Sequence, residues 1–145
     1  MNWKNEALER LRKYDLMCTA VVNIPQEIRQ LEEEATAVRA SRTDKINVLS
    51  GNGRREEMLL DNMMRRQELY WKLEQTENWV QCMNRAMDTL APEERQVLQG
   101  LYILPVKGGV ERLCRELGLE SSSIYRKRDA ALRKFTTALY GAAEN

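Results

Sequence analysis

Leu90 to Phe135 reads LAPEERQVLQGLYILPVKGGVERLCRELGLESSSIYRKRDAALRKF, and this stretch decides the fold. Pro92 suits the first position of a helix, where its missing N–H has no partner to lose, and Glu93 and Glu94 place negative charge at the positive end of the helix dipole. That helix is predicted to run to about Leu104, before Pro105. A second, Val110 to Leu117, puts Leu113 and Leu117 on one side with the small Cys114 between them. Its start is weakly specified, because Arg112 rather than an acid stands three residues after Gly109. Gly118 can take the left-handed conformation that ends this helix, Leu119 fills the corner, and Ser121 or Ser122 can cap the next. Two helices joined by so tight a turn make a helix-turn-helix, a motif that lays its second helix in a DNA groove.

The last helix carries the chemistry expected of such a role. At 100° per residue, Tyr125, Arg126, Asp129 and Arg133 fall within about 60° of Ser122, whereas Ile124, Ala131, Phe135 and Leu139 lie on the far side. The polar stripe offers guanidiniums, a phenol and a hydroxyl, groups that reach base edges and phosphates in a major groove. Lys127 and Lys134 lie on a flank suited to phosphates. Asp129 is expected to pair with Arg126 or Arg133, or to accept from a cytosine amino group. Arg128 points toward the packed side. The candidate DNA-contacting set is therefore Ser121, Ser122, Tyr125, Arg126, Lys127, Asp129, Arg133 and Lys134. From Ile124 to Phe135 there are five cations and one acid, in a chain whose totals are nearly balanced at 23 basic and 22 acidic residues.

The LxPEER start, the RLCRELGL turn and the SSSIYRKRDAALRKF helix resemble region 4 of bacterial sigma factors. The resemblance is closer to phage-encoded transcription regulators of the ArpU and RinA type, in which a helical N-terminal region precedes a similar C-terminal helix with a YRxRxxAL-like stretch. Tyr125, Arg126, Arg128, Ala131 and Leu132 match that stretch. The match covers about a third of the chain. It implies a phage or prophage regulator that binds double-stranded DNA and uses its N-terminal region to form a homodimer or to contact RNA polymerase.

Outward from this stretch, the period stays helical and the chain reads as all-α. A first helix, about Trp3 to Val22, gathers Ala7, Leu11, Tyr14, Cys18 and Val21 on one face. Pro25 is expected to stop it and to open a second helix with Ile28, Leu31, Ala35 and Val38 inward, giving an N-terminal helical hairpin. Ser41 to Glu57 loses the period around Gly51-Asn52-Gly53 and reads as a loop; no GKS or GKT follows, so it lacks the phosphate-loop signature. From Met58 one long helix places Leu69, Leu73, Thr76, Val80, Met83, Met87 and Leu90 on a heptad seam. That seam must pack on the N-terminal hairpin, as a three-helix bundle, or on a second copy in a coiled-coil-like dimer. The methionines read as core filler. Two domains follow, 1–90 helical with a loop at 41–57, and 91–140 carrying the helix-turn-helix.

Composition narrows the classes further. Cys18, Cys82 and Cys114 form no CxxC pair and the chain has no histidine, so neither a zinc site nor a disulfide framework is expected, and the cysteines read as buried free thiols. No nucleophile has a recognisable base, so no catalytic residue, metal or cofactor is assigned and the chain is not read as an enzyme. The opening MNWKNEALERLRK is charged from its fourth residue, and no run approaches bilayer-crossing length, so no membrane association and a cytoplasmic location are expected. Two rivals to the regulator remain, a small terminase subunit for DNA packaging and a sigma-like adaptor that binds polymerase rather than DNA.

Overall fold

Pro25 does not end the first helix. In a computed structural model, which describes residues 1–41 and 49–142, α1 runs unbroken from Trp3 to Ser41 with Pro25 inside it. Ala7, Leu11, Tyr14, Cys18, Val21, Pro25, Ile28 and Ala35 keep one phase along α1, and all are buried or half-buried. The proline thus occupies a seam position itself. An interior proline costs about 3 kcal/mol through one lost hydrogen bond and a ring clash, and packing along the whole stripe offsets it.

The rest of the chain forms α2 (Leu49–Asp88), α3 (Pro92–Leu98), a π-helical turn (Gln99–Ile103), α4 (Gly109–Leu117) and α5 (Ser121–Tyr140). Among the described residues there is no strand. The loop expected over 41–57 is not found at Ser41, which closes α1, or from Leu49 onward, where the α2 backbone is helical; residues 42–48 lie outside the described residues. Two glycines cost a helix about 1 kcal/mol each, and the heptad seam offsets this by starting earlier than the apolar residues suggest. Arg55, Leu59, Asn62 and Arg66 all turn inward on the 4–3 spacing.

The chain divides into two units, Met1–Cys18 with Asn78–Asn145, and Thr19–Glu77. The division does not fall at residue 90, because Ala7 and Leu11 from α1 and Met83, Met87 and Leu90 from the end of α2 share a core with Leu98, Ala131, Leu132 and Phe135. Within this unit a smaller cluster of Val97, Leu113 and Ile124 joins α3, α4 and α5, with Cys114, Leu117 and Leu119 packed against it.

The Thr19–Glu77 unit is a two-helix antiparallel hairpin of α1 and α2, in place of the three-helix bundle. Asn62 sits buried in its seam, where its Nδ2 donates to the Leu31 carbonyl at 2.8 Å and its Oδ1 accepts from Arg66 Nε at 2.8 Å. Polar groups can occupy a seam only when satisfied in this way. Tyr70 donates its hydroxyl hydrogen to Glu32 Oε1 at 2.9 Å. Of the methionines, Met83 and Met87 are core, but Met58, Met63 and Met64 are exposed. The three cysteines are free and half-buried rather than buried.

Candidate nucleic-acid interface

The region around α5 starts from the left-handed Gly118. With φ 66° it ends α4, its N–H bonding the Cys114 carbonyl, and Leu119 N–H reaches the same carbonyl at 3.2 Å. Pairing the last carbonyls this way lets the chain turn sharply without stranding buried polar groups. Leu119 then tucks beside Val97, Leu113 and Ile124. The cap of α5 is Glu120, extended at φ −77° and ψ 157°, and no side chain caps the helix. Ser121 and Ser122 are therefore first-turn residues with exposed side chains, not caps. Glu120 lends its carbonyl to the amides of Ser123 and Ile124, which suffices to start the helix.

Along α5 the two faces separate by burial. Ile124, Ala131, Leu132 and Phe135 are at most 1% exposed, and Leu139 is half-buried. Ser122, Tyr125, Arg126, Asp129 and Arg133 are exposed. A helix whose apolar face is this fully covered cannot roll, so the opposite face has a fixed direction.

Its charges sort into two groups. Lys127 Nζ lies 2.8 Å from Glu93 Oε2 and Lys134 Nζ lies 3.0 Å from Glu94 Oε1, so both lysines are drawn toward the first turn of α3. Glu94 is buried and also accepts the Ala91 N–H at 2.9 Å. That amide hydrogen bond, followed by the Lys134 ammonium, holds its carboxyl below the usual range despite desolvation. Arg126 and Arg133, by contrast, form no ion pair among the described residues. Asp129 pairs with neither of them; it accepts from Arg128 Nε and Nη2 at 3.1 and 3.0 Å. The same guanidinium stacks 4.9 Å from the centroid of the Tyr125 ring. Arg128, half-buried at the edge of the packed side, thus contacts both Tyr125 and Asp129, and the two outer arginines form no ion pair among the described residues.

Six of the eight candidate residues, Ser121, Ser122, Tyr125, Arg126, Asp129 and Arg133, are exposed and make no ion pair with α3, although Arg126 lines a cleft beside Glu93 and Glu94, whereas Lys127 and Lys134 pair with α3. Sequence reasoning missed Glu93 and Glu94 as partners of those lysines. It placed the acids correctly at a helix start, but no spacing rule joins residues 34 and 40 positions apart. A second brace ties α3 to α4, where Glu116 accepts from Arg112 Nε at 2.8 Å and from Gln96 Nε2 at 3.0 Å. The Arg112 bond, then the Gln96 bond, lowers the Glu116 carboxyl below its ordinary value. Among the described residues, no cluster of histidine, cysteine or acid is placed to hold a metal ion, and no helix is long and apolar enough to cross a membrane.

No protein-family model matches the chain, and neither a curated protein nor a solved structure does.

Proposed function

We propose that α4, the Gly118 turn and α5 form a sequence-specific helix-turn-helix, and that the chain is a duplex-DNA-binding transcription regulator of the phage type its sequence resembles. The observation that carries this reading is the division of α5, with its apolar face sealed in two cores and Arg126 and Arg133 standing uncompensated on the other. A buried or paired arginine would be structural. An exposed, unpaired guanidinium on a fixed face has its five donors free for guanine edges or phosphates.

On this reading Arg126 and Arg133 read bases, Tyr125 and the serine hydroxyls contact the backbone or a base edge, and Asp129 selects a cytosine or excludes competing bases. Lys127 and Lys134 hold α5 against α3, so they set the angle of the helix more than they add to its charge. Selection from random duplexes followed by mobility shift tests the reading. A recovered motif that wild type binds, and that an Arg126→Glu, Arg133→Glu double variant of unchanged helicity does not bind, is the expected result. Equal binding of every duplex by the two proteins discards the interface.

A polymerase-binding adaptor is the second reading, favoured by the exposure of Leu104 and Val106 along a groove that Gly100 and Leu113 also line. It predicts polymerase capture that survives the double variant and is abolished by Leu104→Glu.

A further inference from the structure

The outer surface of α2 in the Thr19–Glu77 unit is more apolar than a solvated helix requires. Leu60 is 53% exposed, Met64 60%, Tyr70 50% and Trp71 62%, with Met63 at 41%. Leu60, Met64 and Trp71 lie on the side of α2 away from the buried seam, and Met63 and Tyr70 lie between that side and the seam. At 100° per residue they lie within about 60° of Gln67, whose direction is roughly 120° from the seam centre at Leu59, Asn62, Arg66, Leu69 and Leu73. Leu60, Met64, Gln67 and Trp71 repeat the 4–3–4 spacing of a helix-packing stripe. A period of that kind fits another helix, not a flat surface.

We infer that this face is covered by the same face of a second copy, with the two α2 helices antiparallel and a two-fold axis passing beside Gln67. Three observations choose this occupant. First, the centre of the stripe is self-complementary. The two-fold sets Met64 beside Trp71 of the other copy and Met63 beside Tyr70, so each methionine sulfur meets an aromatic ring and each contact forms twice, as an isologous interface requires. The hydroxyl of Tyr70 is already held by Glu32, which leaves its ring to face outward without a polar group to bury.

Second, the charges select the antiparallel direction. Glu56 and Glu74 are the exposed acids in line with the stripe at its two ends. Parallel pairing would set each carboxylate against its own copy. Antiparallel pairing about Gln67 keeps the two Glu74 side chains about 20 Å apart, from a rise of 1.5 Å per residue. The charges beside the stripe, Asp61 with Arg65 and Glu68 with Lys72, are neutralised within their own helix at 3.2 and 3.4 Å and do not repel a second copy.

Third, the area suffices. The five apolar residues leave on the order of 600 Å² open, the upper end of what a monomer shows, and two copies would cover on the order of 1,200 Å², where stable interfaces begin. The inference rests on the hairpin alone and stands whether or not α5 binds DNA.

The test is the mass of the full chain in solution, by sedimentation equilibrium or light scattering. Wild type is expected to be a dimer at micromolar concentration, and Met64→Glu with Trp71→Glu a monomer of unchanged helicity, with the dissociation constant of the dimer raised at least a hundredfold. Because Gln67 faces its own copy across the axis, Gln67→Cys is expected to give a disulfide-linked dimer on a non-reducing gel that wild type, with its three native cysteines, does not give. A monomeric wild type overturns the proposal and leaves the face to another protein, as does a dimer that survives both glutamates or larger rings in place of the dimer. Failure of DNA binding with the dimer intact would touch only the reading of α5.

Discussion

Lys134 Nζ lies 3.0 Å from Glu94 Oε1, joining the first turn of α3 to the middle of α5 across 40 residues of chain. The exposed partner is the lysine and the buried one the glutamate, whose second acceptor role is to cap α3 through the Ala91 amide. The pair therefore holds α5 next to Arg133, the last residue of its outer face.

Removing Glu94 should cost more than removing its neighbour. Glu94→Ala strands the Ala91 N–H and the Lys134 ammonium and is expected to lower unfolding stability by about 1 to 2 kcal/mol. Glu93→Ala, which breaks only the half-exposed pair to Lys127, should cost less than about 1 kcal/mol. Urea titrations of the two variants check the ranking.

Acid should weaken the same site. The Ala91 hydrogen bond and Lys134 depress the folded Glu94 carboxyl, so its contribution is fully present above the unfolded carboxyl value near 4.3 and is lost as pH falls through the lower folded value. Thermal melts from about pH 6 down to pH 3 should show wild type losing stability more steeply than Glu94→Gln.

Glycine-to-alanine changes should have opposite signs at two positions. Neither site has a heavy atom within 4 Å of a new Cβ, so conformation alone decides. Gly118→Ala forces a side chain into φ 66° and is expected to destabilise by about 1 to 2 kcal/mol. Gly53→Ala, inside α2, should stabilise by up to about 1 kcal/mol. Melting temperatures that move the same way for both would refute this account.

Pro25→Ala should stabilise the chain. Alanine restores the amide that can bond the Val21 carbonyl and removes the ring clash, for a gain of about 1 to 3 kcal/mol, less the packing the ring supplied. Denaturant midpoints and helical ellipticity should both rise.

On the proposed reading, Arg126→Ala weakens a selected duplex by about 1 to 3 kcal/mol and leaves the melting temperature unchanged. Lys134→Ala should do the reverse and lower stability with little loss of affinity. Fluorescence anisotropy beside thermal melts separates the two effects.

Much of the architecture was legible in local pattern. Gly118 between two short amphipathic runs announced the bend, and the phase of Ile124, Ala131 and Phe135 against Arg126 and Arg133 gave the two faces of α5, because a 3.6-residue period is a property of the chain itself. The seam from Leu69 to Leu90 was equally plain. Pro25 misled because helix-breaking is judged locally, whereas its cost was met by residues on both sides packing in one phase. Ser121 or Ser122 was credited as a cap on residue type, but the extended backbone fell at Glu120, one residue before Ser121.

The amino-acid order by itself determined an all-helical chain, the bend at Gly118 and which side of α5 is apolar, since each depends on backbone preferences and spacing within a few turns. Only the tertiary structure decided which cations of α5 are free. Glu93 and Glu94 reach Lys127 and Lys134, Arg128 takes Asp129, and Arg126 and Arg133 are left facing outward. Ion pairing of that kind depends on distances between segments far apart in sequence, which are set when α3 and α5 close over a shared core.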